Sequence, residues 1–216
     1  MPKIITVANL KGGCGKSTIA VNLAGELATR KAAVTVVIDA DGQGTATSWA
    51  EAGRLPFRVD SLPLEDPRDG ARWIERVLSL DAAYLVVDCP PHVGAATEAA
   101  VGVSDLVLIP VFSSGADLRA TVQALDLVGA ARADRKDRGP ACLLVPSRID
   151  RRTLVGREIE SVLKQFGEPI APVIHQRAAF IDCLTESQWI GDYAPDSQAH
   201  ADITALALAV KRRLKL

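Results

Sequence analysis

The chemistry legible in this chain is concentrated in eight consecutive residues: Lys11, Gly12, Gly13, Cys14, Gly15, Lys16, Ser17 and Thr18. Glycine lets the backbone curl until several N–H groups converge on a single anion. Lys16 adds a full positive charge, and a helix starting here adds the partial charge of its N-terminus. Ser17 offers a hydroxyl to a magnesium ion shared with terminal phosphates. The flanks fit that reading. Residues 3–8 form an apolar run that predicts a buried strand, and residues 19–24 predict the opening of a helix. A strand, a glycine turn and then Gly-Lys-Ser at a helix start is the setting a phosphate-binding loop needs. A plain glycine turn with two solvated lysines would leave both flanks unexplained.

The loop departs from the general pattern, which asks for glycine six positions before the lysine; here that position is Leu10. A second lysine, Lys11, opens the loop instead. Because Lys16 already fills the cradle, Lys11 is expected to point out of its own site. Three aspartates stand where a metal site would be built. Asp39 and Asp41 end a second apolar run, 34–41, and Asp88 ends a third, 84–88, ahead of Cys89, Pro90 and Pro91. In parallel α/β sheets, ligands collect at the carboxyl ends of strands. One such aspartate alone would be an ordinary loop-starting cap. Three of them beside a phosphate loop predict an acidic metal site.

The segment K-G-G-x-G-K-S/T resembles the deviant Walker A loop of the ParA/MinD family, and the resemblance extends over nearly the whole chain. It is nearest to the small plasmid-partition (ParF-like) members. That resemblance implies ATP and Mg2+ as cofactors, with residues 11–18 cradling the phosphates and Lys11 reaching across a homodimer to the partner's nucleotide. Asp88 resembles the Walker B acid. Asp39-Ala40-Asp41-Gly42-Gln43 resembles the family's D-x-D-P-Q switch with glycine for proline, so that Asp41 would orient the attacking water and Asp39 would support the metal shell. Thr45 to Gly53 matches the helix after that switch, and 103–110 the strand after the Walker B acid, with Asp117 in the loop beyond. Ser147 and Arg148 fall where the family flanks adenine, and Arg177 falls in its I-x-x-R segment. Lys11, Lys16 and Asp41 are therefore the expected catalytic residues, and Ser17, Asp39 and Asp88 the expected metal set.

These residues require a scaffold, and the chain predicts one. Apolar strands at 105–111, 141–146 and 170–174, with a weak edge strand at 57–62, alternate with helical patterns at 67–80, 116–131, 154–166 and 202–214. Such alternation implies an α/β fold, a mainly parallel, twisted sheet covered by helices on both faces. At 216 residues the reading is a single P-loop NTPase domain over the whole length, with no N-terminal helix-turn-helix extension and no signal peptide. A net charge of −1 excludes a globally basic nucleic-acid binder and leaves only local patches. The cysteines, at 14, 89, 142 and 183, lack the spacing of a zinc site or a disulfide framework.

The functional expectation is a dimerising, slowly hydrolysing ATPase that binds nonspecific DNA in its ATP state. Arg177, Lys211, Arg212, Arg213 and Lys215 are the candidate DNA contacts. A ParB-like or cargo-adaptor protein would stimulate hydrolysis, and the protein would be cytoplasmic and nucleoid-associated when ATP is bound. Two alternatives stand beside it. One is a MinD-like membrane-positioning ATPase, using Ile203, Leu206, Val210 and Leu214 as an amphipathic stripe. The other is a metabolic P-loop kinase or dethiobiotin synthetase-like ligase, which would have no use for Lys11.

Overall fold

The computed structural model describes residues 1–29, 34–112 and 115–216, and the side chains of 115–117 lie outside that description, Asp117 among them. Its centre is a seven-stranded sheet in the order β3-β2-β4-β1-β5-β6-β7. The strands are β1 (Lys3–Val7), β2 (Thr35–Asp39), β3 (Arg58–Ser61), β4 (Tyr84–Asp88), β5 (Leu106–Val111), β6 (Ala141–Ile149) and β7 (Ile174–His175). Every pairing is parallel. The apolar runs are continuous because both faces are covered, so neither alternate residue meets water. In β1, Ile5 and Val7 face one core while Ile4 faces the other.

On the first face lie α1 (Lys16–Thr29), α2 (Thr45–Ala50), α7 (Ala179–Thr185), α8 (Ile190–Tyr193) and α9 (Gln198–Leu214). On the second lie α3 (Gly70–Leu78), α4 (Ala95–Val103), α5 (Gly115–Asp134) and α6 (Leu154–Leu163). The helix that begins at the phosphate loop, α1, is buried along most of its length between sheet and neighbouring helices. At Gly25 a Cβ would sit 2.4 Å from Cδ2 of Trp189, so only glycine lets the indole lie against this helix.

The structure bears out the expected class and the edge position of β3. In place of the strand expected at 170–174 it has a two-residue one, Ile174–His175. Pro172 has no N–H to donate, and Ile170 makes only an isolated bridge to Leu144 before the register shifts. In α9, Ile203, Leu206 and Val210 are fully buried. Three of the four residues of the expected stripe are thus spent on the core, and Leu214 packs against it partly buried. Among the described residues, no helix is long and apolar enough to cross one.

Candidate functional site

The loop after β1 opens into a cleft of about 560 Å³ lined by Gly12, Gly13, Gly15 and residues 16–19. Its other walls include Asp41, Ser147, Arg148, the segment 174–178 and Phe180. Gly13 and Gly15 take positive φ, +75° and +94°. A Cβ on Gly15 would also come within 2.8 Å of Ser147 Oγ, so glycine is needed here for conformation and for space. Asn9, which the sequence reading passed over, anchors the approach to the loop. Its Nδ2 donates to the Pro110 carbonyl on β5 at 2.6 Å.

Lys16 is 6% exposed and donates from Nζ to the carbonyl of Lys11 at 3.1 Å. Cys14 is buried and its thiol donates to the same carbonyl at 3.3 Å. The cradle's own lysine is thus held on its own loop. Lys11 is partly exposed, and its side chain is not among those lining the cleft. Arg148 takes a left-handed φ of 55° and donates to the Gly13 carbonyl at 2.6 Å. Its guanidinium also lies 5.7 Å from the centre of the Phe112 ring. The end of β6 is therefore fastened to the phosphate loop.

The three aspartates meet near the cleft but do different things. Asp39 Oδ2 accepts from Thr47 N at 2.8 Å and Thr47 Oγ1 at 2.9 Å, and Oδ1 accepts from Asp41 N at 3.2 Å. Of the expected metal set, Asp39 is thus the one engaged by protein donors, which tie β2 to the first turn of α2 and position Asp41. Asp41 itself is partly exposed, lines the cleft and accepts from Gln43 N at 3.0 Å.

Asp88 is 1% exposed, and among the described residues neither carboxylate oxygen has a hydrogen-bond partner of good geometry. Burial pushes its carboxyl up to about 7; the Ser17 hydroxyl and Lys16 oppose the rise, while Asp39 and Asp41 reinforce it. A buried, unpaired carboxylate facing a serine hydroxyl is a hard-oxygen donor set that suits Mg2+. No group of three or more His, Cys, Asp and Glu able to hold a metal exists among the described residues. The residues therefore fit an ion that shares its shell with phosphate and water, held by Ser17 and Asp88.

Arg177, expected with the basic C-terminus, is elsewhere. Its Nε and Nη2 donate to Asp202 on α9 at 2.9 and 3.2 Å, and it lines the phosphate-loop cleft. Arg212 and Arg213 line a separate, open groove with Arg151 and Lys164 over the apolar edge of the sheet. Lys211 shares the last turn of α9 with them, and Lys215 caps it. All four cysteines are buried and unbridged, with burial pushing Cys142 and Cys183 up to about 12.

The sequence profile of the CobQ/CobB/MinD/ParA nucleotide binding domain matches residues 5–188, from β1 through the far wall of the cleft. The chain belongs to this family. A relative from Gloeobacter kilaueensis, named as maintenance of carboxysome distribution protein A, is 32% identical over 208 residues, covering 92% of this chain and 90% of that one. Chromosome-partitioning ATPase Soj of Thermus thermophilus is 29% identical over 228 residues, covering 91% of each. In three dimensions the CobQ/CobB/MinD/ParA fold here is similar to the septum site-determining protein MinD of Pyrococcus horikoshii solved with Mg-ADP. The TM-score is 0.79 at 18% identity, covering 98% of this chain and 97% of that one.

Proposed function

We propose that this chain is a ParA-type positioning ATPase, which binds ATP with magnesium, dimerises around two nucleotides and grips DNA nonspecifically in that state. Partner-stimulated hydrolysis would then release it. The observation that carries this reading is the bare, buried Asp88 beside Ser17 and Lys16, at a cleft opening from a glycine cradle.

When bound, magnesium supplies charge neutralisation between the terminal phosphates. Residues 12–18 offer the phosphates their backbone N–H groups, and Lys16 exchanges the Lys11 carbonyl for phosphate oxygens. Asp41, steadied by Gln43 N, orients the attacking water. Lys11, set at the mouth of the loop and turned from its own cleft, reaches the partner's nucleotide and stabilises charge on the transferring phosphoryl group, as an arginine finger does. Lys211, Arg212, Arg213 and Lys215 contact DNA phosphates without reading bases. The relatives' names, carboxysome distribution and chromosome partitioning, support a large cargo met through an adaptor protein.

Calorimetric titration with ATP and magnesium tests the cradle: the parent should bind and Lys16→Ala should not. Equal affinities would refute the assignment. In sedimentation with ATP, Asp41→Ala should stay dimeric with slow turnover, and Lys11→Ala should remain a monomer that still binds ATP. A Lys11→Ala chain that dimerises and hydrolyses like the parent would return the reading to a metabolic P-loop enzyme.

A further inference from the structure

We infer that His175 is the residue that selects adenine over guanine in this cleft, by accepting a hydrogen bond at Nε2 from the exocyclic amino group of the base. The inference rests on the nucleotide reading above and names the residue that would select the base within it.

The cleft has two ends. Phosphates belong at the loop after β1, and the acids of β2 and β4 lie to one side of it. On the other side the sheet continues through β5 and β6 to β7, three strand spacings or about 14 Å away. The cleft runs in that direction, and its far wall is the segment 174–178 with Phe180. With the phosphates fixed at one end, the base reaches the other, and His175 stands there at the end of β7.

The ring of His175 is not free to choose its tautomer. Asp202, on α9 and 9% exposed, receives four donors from this short stretch. They are His175 N at 3.0 Å, His175 Nδ1 at 3.1 Å, Arg177 Nε at 2.9 Å and Arg177 Nη2 at 3.2 Å. A carboxylate so surrounded only accepts, so Nδ1 must carry the ring proton. In the neutral ring Nε2 is then an acceptor, and it has no protein partner among the described residues. The ring is 29% exposed on the cleft wall.

An acceptor fixed in this way suits the amino group of adenine. Guanine offers a carbonyl oxygen at the corresponding position, so two acceptors would face each other in a partly desolvated cleft. Arg177 does not reverse this preference through the same edge, because its Nε and Nη2 are committed to Asp202.

The test is calorimetric affinity for Mg-ATP and Mg-GTP in the parent, His175→Ala and His175→Gln. The parent should bind ATP about tenfold or more tighter than GTP, the worth of one well-placed hydrogen bond. His175→Ala should bring the ratio near one through weaker ATP binding. His175→Gln, whose side-chain carbonyl can accept from the same amine, should recover part of the preference. A fold-wide effect of His175→Ala would instead weaken both nucleotides equally and leave the ratio intact, which overturns the inference. Nitrogen NMR gives a readout independent of affinity: the Nε2 signal of His175, identified by its absence in His175→Ala, should be unprotonated in the free protein and shift with ATP but not GTP. A protonated Nε2, or equal ATP and GTP binding by the parent, also overturns it while leaving the nucleotide reading standing. Failure of the parent to bind either nucleotide overturns both.

Discussion

Asp39 and Asp88 end adjacent strands and stand opposite one another in register, and both are almost wholly buried. Three protein donors surround the first, and among the described residues none bonds the second in good geometry. One is a finished joint between β2 and α2; the other is a buried acid that, in the function proposed above, would hold magnesium, and its desolvation costs stability in the free chain. Burial alone therefore does not identify a functional acid. The hydrogen-bond account around it does.

That contrast can be broken experimentally, and the largest effect should come from the bare acid. Asp88→Asn should lower magnesium-dependent ATP hydrolysis by about 10- to 100-fold, measured by phosphate release. The same change should leave the free protein no less stable at pH 8, since it removes a buried charge without removing a bond. A large loss of stability would mean Asp88 is structural after all.

The next effect is on pH. An unfolded aspartate ionises near 3.8, whereas Asp88 in the folded chain ionises near 7. Between those values the folded state holds a proton that the unfolded state has released, so stability falls as pH rises. The contribution is intact below 3.8, drains through the interval and is gone above about 7. Denaturant titrations of the nucleotide-free protein should show a slope of at most about 1.4 kcal/mol per pH unit. Asp88→Asn should flatten that part of the curve; an unchanged slope would assign it to other groups.

Asp39→Ala should cost about 2–3 kcal/mol, because it strands Thr47 N, Thr47 Oγ1 and Asp41 N. In a chain of this size that lowers the unfolding midpoint by roughly 5–10 °C. If the midpoint holds, the joint is not what fixes α2. The smallest effect belongs to Thr47→Val, which removes only the hydroxyl donor and should cost about 1 kcal/mol. Its value is as a ruler: Thr47→Val should do nothing further once Asp39 is alanine, and additivity would show that the two do not act as one unit.

Much of this was legible beforehand. The phosphate loop and the central strands could be read because their signals are local: glycines at fixed spacing, and continuous apolar runs. Asp41 and Asp88 were found as strand-end acids for the same reason. The joint that Asp39 makes was missed because its partner Thr47 is eight residues on, and only the folded turn brings them together. Arg177 was grouped with the C-terminal cations because nothing in the sequence ties it to Asp202, 25 residues away on α9. The short helices α4, α7 and α8, nine, seven and four residues long, fall in segments the sequence left unassigned, too short to display a periodic face.

The strand order has a consequence for how such a protein can change. The acids that would serve the terminal phosphate stand at or just past the ends of strands on one side of β1, and the groups that would meet the base come from strands on the other. No side chain named here serves both flanks. Selection can therefore alter which nucleotide is retained by substitutions at β6 and β7 without touching turnover, and can tune the lifetime of the bound state at β2 and β4 without changing the fuel. A lineage adapting this ATPase to a new cargo inherits two separately adjustable controls, joined only at the glycine loop between them.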